Sequence, residues 1–120
     1  MSTDLSPEEL LRELSERLGL RFQTQDWGIL NSDPDRLEEF VHFYETADLA
    51  PTQRYELGAL VLASANDALV KQDLDENRLQ QLEAFIARNR ASLQTHIDYW
   101  AGLARELEFP IAGVLKRLDQ

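Results

Sequence analysis

The chain of 120 residues predicts an all-α fold, a single compact bundle of five or six helices around a central buried third helix, and three observations carry that prediction. Apolar residues recur at three- and four-residue spacing along most of the chain. Prolines stand at the head of four of those stripes, at Pro7, Pro34, Pro51 and Pro110, where a missing N–H costs a helix nothing. Only one short period-two alternation occurs, at Leu20, Phe22 and Thr24, and no second strand-like run offers it a sheet partner.

Ser6-Pro7-Glu8-Glu9 opens the first helix, with Ser6 as cap and Glu9 closing a capping box. Leu10, Leu11, Leu14 and Leu18 share one face, and Gly19 stands where a left-handed cap ends the helix, so it spans about 7–18. Residues 20–32 read as an ordered connector that plugs into the core through Phe22, Trp27, Ile29 and Leu30, with Gly28 allowing a turn. Asp33-Pro34 begins the second helix, about 34–47. Leu37, Phe40, Val41, Tyr44 and Ala47 form its buried stripe, and Asp35, Glu38, Glu39, His42 and Glu45 lie on the other side.

Pro51 opens the third helix, about 51–72, which is apolar around most of its circumference, Tyr55 and Val70 included. Its polar strip is narrow, Gln53, Glu56, Asp67 and Lys71, and small residues such as Gly58, Ala59, Ala63 and Ser64 admit close neighbours. From Asp73 to Glu76 the chain breaks. Leu79, Leu82, Ile86, Leu93, Ile97, Trp100, Ala104 and Leu107 then keep helical spacing. One helix of that length would run ~50 Å, against about 35 Å for a compact domain of this size. A break near Arg88 to Ala91 is therefore expected, giving helices of about 76–88 and 91–107, with a continuous bent helix as the alternative. The same run has a heptad-like character that could build a dimer seam, although in so short a chain it more naturally faces its own core. Pro110 starts a terminal helix, about 110–118, carrying Ile111, Val114, Leu115 and Leu118.

The length and the 43% hydrophobic content fit one domain over residues 1–120. There is no cysteine, which removes disulfides, thiolate nucleophiles and thiolate metal sites. With 12 basic and 22 acidic side chains the net charge is -10, so nucleic-acid backbones and anionic membranes are not expected partners. Residues 1–76 carry 17 acidic and 6 basic groups, and residues 77–120 carry 5 and 6, so the front is -11 and the back +1. Such a polarity steers association towards a basic protein surface. The polar N-terminus does not read as a signal peptide, and the longest mostly apolar stretch, Leu57 to Ala65, falls short of the ~20 residues of a membrane span. A cytoplasmic protein is expected, monomer or homodimer.

No phosphate loop, calcium loop, zinc-protease motif or nucleophile elbow occurs. Glu39-Phe40-Val41-His42 has the Glu-x-x-His spacing of a di-iron ligand step. No second step accompanies it, since Leu93 stands three residues before His96, and no metal or cofactor is expected. His42 has Glu38, Glu39 and Glu45 around it, neighbours that favour its charged form. Asn66 is the odd residue of the third helix, an amide on an apolar face that either ties down a neighbouring backbone or lines a pocket with His96 and Tyr99.

Gln25-Asp26-Trp27-Gly28-Ile29, Ala50-Pro51-Thr52-Gln53-Arg54-Tyr55-Glu56-Leu57 with the following LVLASANDAL, His96-Ile97-Asp98-Tyr99-Trp100 and Phe109-Pro110-Ile111 together resemble a family of short, uncharacterised, all-helical bacterial proteins. The likeness covers most of the chain from Gln25 onwards and implies the fold, without an activity, cofactor or catalytic residue. In size and acidity the chain is also similar to the helical immunity proteins that neutralise basic bacterial nucleases. The reading that follows is a small acidic module, an immunity-type or regulatory inhibitor, whose face of Asp35, Glu38, Glu39, His42 and Glu45 meets a basic partner. The alternative is a small-ligand-binding protein or enzyme with a pocket near Asn66, His96 and Tyr99.

Overall fold

Helix starts and stops written into the sequence set the element order. The computed structural model describes residues 5–102 and 109–118. Helix α1 spans Pro7–Leu18, with Ser6 and Glu9 exchanging the two hydrogen bonds of the capping box and Gly19 closing it at φ 66°. A short α2, Trp27–Leu30, follows, then a 3₁₀ turn, Pro34–Arg36, that leads into α3, Leu37–Thr46. Helix α4 is Pro51–Val70, α5 Glu76–Arg88, α6 Arg90–Ala101 and α7 Pro110–Leu118. Among the described residues there is no strand, and the globule measures 46 × 26 × 26 Å.

Among the described residues seven α-helices stand where five or six are predicted, because part of the 20–32 connector is helical. Asp26, at φ 54°, turns the chain, and Gly28 then rests directly on the α4 backbone. A Cβ at Gly28 would lie 2.8 Å from the Leu60 nitrogen and 3.0 Å from the Ala59 carbonyl carbon, a separation that only a hydrogen at this position allows. The insertion of α2 makes the long helix the fourth of the chain rather than the third. It packs against α1, α2, the 3₁₀ turn, α3, α6 and α7.

The connector reaches the core through Trp27 alone among its fully buried apolar side chains. The Trp27 indole N–H donates to Ser15 Oγ at 2.8 Å, and that hydroxyl donates to the Leu11 carbonyl at 2.9 Å, so a polar pair inside α1's apolar face is satisfied. Asn31 holds the connector by accepting from the Arg21 N–H and donating to the Arg21 and Trp27 carbonyls. Ile29 and Leu30, expected in the core, are 53% and 58% exposed. A four-residue helix has one buried side, and Trp27 with Gly28 occupies it.

Elsewhere the differences are local. Gln53 is buried rather than on a polar strip, its amide donating to the Leu10 carbonyl and Glu13 while its oxygen accepts from the Ala50 N–H. Tyr55 and Val70, read as core, are exposed, since α4 has neighbours around most but not all of its girth. The break between α5 and α6 falls on one residue, Asn89, whose amide donates to the Phe85 carbonyl and to Glu45. The predicted extension of this region to 107, with Ala104 and Leu107, lies outside the described residues. Leu82, Ile86, Leu93 and Trp100, the proposed dimer seam, are buried in the protein's own core, where Phe85 joins them edge-on to Tyr44 at 5.3 Å.

Candidate functional site

The acidic face expected on α3 forms as a row, and its glutamates already have partners. Glu38 takes two hydrogen bonds from Arg78 of α5, each at 3.0 Å. Glu39 accepts from Arg36 at 2.9 and 2.6 Å, and Glu45 accepts from Arg88 at 3.0 and 2.9 Å. These forks hold the Glu39 and Glu45 carboxyls below the ordinary carboxylate range. His42 lines a hollow of about 160 Å³ with Glu38, Glu45 and Arg78. Asp35 is exposed at the 3₁₀ turn. A basic partner arriving here meets carboxylates engaged by the protein's own guanidinium groups. The Glu-x-x-His step fares likewise: Glu39 is spent on Arg36, and among the described residues no group of three or more His, Asp or Glu is placed to hold a metal ion.

The opposite candidate, Asn66 with His96 and Tyr99, is divided between two adjoining hollows. Asn66 is buried and its Oδ1 accepts from the Ile111 N–H at 3.2 Å, so it holds the first turn of α7 from the side. The hollow beside it, about 350 Å³, is lined by Asp67, Ser32 and Phe109 and walled by Ile29, Tyr99 and Trp100. His96 faces the other side of that wall, a cleft of about 360 Å³ between α2, α4 and α6.

This cleft has a built floor. Gly58 lets α6 approach α4, since a Cβ there would meet Leu93 at 3.0 Å and the His96 ring at 3.2 Å. His96 Nε2 lies 2.8 Å from the Tyr55 carbonyl, and a carbonyl only accepts, so the neutral ring carries its proton on Nε2. Burial pushes the His96 pKa below the ordinary histidine value, and the hydrogen bond to Tyr55 opposes this with a smaller effect. The Tyr55 ring stacks over the same imidazole at 4.4 Å, and Tyr99 meets Trp100 edge-on at 5.7 Å.

The rim combines apolar exposure with uncompensated charge. Tyr55 is 49% exposed, Tyr99 58%, and Ile29 completes the apolar edge. Glu56 is part-buried among these residues, makes no hydrogen bond or ion pair among the described residues, and burial raises its carboxyl above the ordinary range. Asp26 is the second acid of the lining, and among the described residues neither Lys nor Arg lines the cleft. Sequence reasoning named His96 and Tyr99 but missed Glu56, Tyr55 and Ile29 as site residues. Glu56 carries a signal in hindsight, an acid one turn before the small Ala59–Leu60 shelf on which α2 rests. The arrangement can bind and orient a ligand. Among the described residues of the lining, the buried imidazole nitrogen that has a partner is tied to backbone. Comparison of the chain with protein-family models, with curated proteins and with solved structures finds no match.

Proposed function

We propose that this protein is a small acidic binding module that docks a basic protein partner in the cleft between α2, α4 and α6. The observation that carries the reading is the convergence of half-exposed Ile29, Tyr55 and Tyr99 on one cleft whose charged lining groups, among the described residues, are Asp26 and Glu56. Large apolar side chains grouped in this way, with a polar edge, are the composition of an interface centre. The α3 row supports a binding role less well, because Arg36, Arg78 and Arg88 compete for its glutamates. A regulatory or immunity-type inhibitor is the sharpest form of the proposal.

Affinity capture from the native lysate at low and high salt tests it with three baits: wild type, Tyr99→Ala, and Glu38→Gln plus Glu39→Gln. A protein retained by wild type and by the double glutamine variant, and lost with Tyr99→Ala, is the expected result. Loss with the glutamine pair and retention with Tyr99→Ala would move the interface to α3 and overturn the assignment of the cleft.

A further inference from the structure

Four aromatic rings of this protein, Phe40 and Tyr44 buried and Phe22 and Phe43 part-buried, each carry one of its own arginines: Arg12 over Phe22 at 4.0 Å, Arg17 over Phe43 at 4.9 Å, Arg36 over Phe40 at 4.9 Å and Arg54 over Tyr44 at 5.0 Å. Three glutamates are each forked by an arginine in the same way. Tyr55 and Tyr99 are more exposed than any of those rings, and no arginine lies over either among the described residues. Glu56, in the same cleft, has no cation among the described residues.

We propose that the cleft receives an arginine side chain from the partner protein, its guanidinium lying against the Tyr55 and Tyr99 rings and donating to the Glu56 carboxylate. Guanidinium is planar, stacks on aromatic faces and is weakly hydrated, so it suits a half-buried site better than an ammonium. Asp26 at its edge, with no Lys or Arg among the described residues of the lining, gives the matching charge. Arrival of the cation returns to Glu56 the partner that burial has denied it, so the ionised carboxylate becomes the favoured form in the complex. This assignment rests on the cleft being the docking site.

Amide chemical-shift titration of the full chain with four capped tripeptides, Ala-Arg-Ala, Ala-Lys-Ala, Ala-citrulline-Ala and Ala-Phe-Ala, separates the two. Shifts at Tyr55, Glu56 and Tyr99 that are strongest for the arginine peptide, and an apparent affinity reduced about tenfold both by citrulline and by Glu56→Gln, are expected. Tyr99→Ala, an exposed position whose loss leaves the core intact, is expected to weaken the arginine peptide as well. Equal response to citrulline or lysine, or an arginine response unchanged in both variants, overturns the assignment. Shifts with Ala-Phe-Ala alone overturn the arginine and leave the docking cleft standing. No shift with any of the four overturns both.

Discussion

Gly28→Ala tests whether α2 is fixed to α4 by close packing of backbones. The added methyl would sit 2.8 Å from the Leu60 nitrogen, 3.0 Å from the Ala59 carbonyl carbon and 3.2 Å from the Ala59 Cβ. Two of those three contacts are with the backbone of a buried 20-residue helix, which cannot move aside as a flexible side chain does. Helix α2 must therefore lift by several tenths of an ångström. It is tethered by Trp27, 2% exposed and bonded to Ser15 Oγ at 2.8 Å, so the lift strains a filled pocket and a buried hydrogen bond. Overpacking of this kind costs about 1–3 kcal/mol, against a helix-propensity gain for Ala over Gly of at most about 1 kcal/mol. A net loss of about 1–2 kcal/mol is expected, which for a domain of this size lowers Tm by roughly 4–10 °C. Urea denaturation followed by tryptophan fluorescence measures it. Gly19→Ala is the comparison, because there the space is open and only the left-handed φ of 66° opposes a side chain, a cost of about 1 kcal/mol with no change at the cleft. A Gly28→Ala protein as stable as wild type would refute the close-packing account.

Asn66→Ala removes the acceptor of the Ile111 N–H in a buried site, so a loss of about 1–3 kcal/mol is expected in chemical denaturation, while Asn66→Asp, which keeps an acceptor at the start of α7, loses less. Arg78→Ala frees the Pro34 and Asp73 carbonyls as well as Glu38, and is expected to cost about 1–2 kcal/mol, of which 1 M salt reproduces only a small part in wild type, the Glu38 pair being surface-exposed. His96 has a folded pKa below its unfolded value, so its contribution to stability is complete above the ordinary histidine pKa and is lost as pH falls through that value towards the folded one; thermal melts from pH 7.5 to 5 are expected to fall more steeply for wild type than for His96→Gln. Glu56 has the opposite sign: its folded pKa is raised, so the ionised group opposes folding at neutral pH, and Glu56→Gln is expected to raise Tm at pH 7 with a gain that fades as pH falls through the raised folded value and is gone below the ordinary carboxylate value.

The helical class was legible because local signals agree along the chain. Ser6 with Glu9, Gly19, and the prolines at 7, 34, 51 and 110 mark ends that depend on neighbours in sequence, and α1, α4 and α7 begin at those prolines. The break expected near 88–91 for a domain about 35 Å across is found at Asn89, in a molecule that extends 46 Å along its longest axis. What failed depends on contacts distant in sequence. Four residues at Trp27–Leu30 show no helical period, and their helix exists because Gly28 fits against Ala59 and Leu60. Gln53 looks polar and is buried because Leu10 and Glu13, 43 and 40 residues away, receive its amide. Tyr55 looks apolar on a helical wheel and is half-exposed, its ring against His96 of α6 and its remainder open to the cleft.

Charge shows the same limit most clearly. Counted along the chain, acidity collects before residue 77, and Asp35 to Glu45 look like its sharpest face. Folding carries Arg78 and Arg88 from the balanced back of the chain onto α3, where with Arg36 they meet Glu38, Glu45 and Glu39. Exposed pairs of this kind contribute little stability, yet they decide which carboxylates remain open to a partner. An asymmetry in sequence thus becomes, in space, a patched α3 and a cleft in which Glu56 stands among Tyr55, Tyr99 and Ile29 with no cation among the described residues. Under the proposed docking, Glu56 is the carboxylate that meets the partner, because Glu38, Glu39 and Glu45 are already forked by Arg78, Arg36 and Arg88.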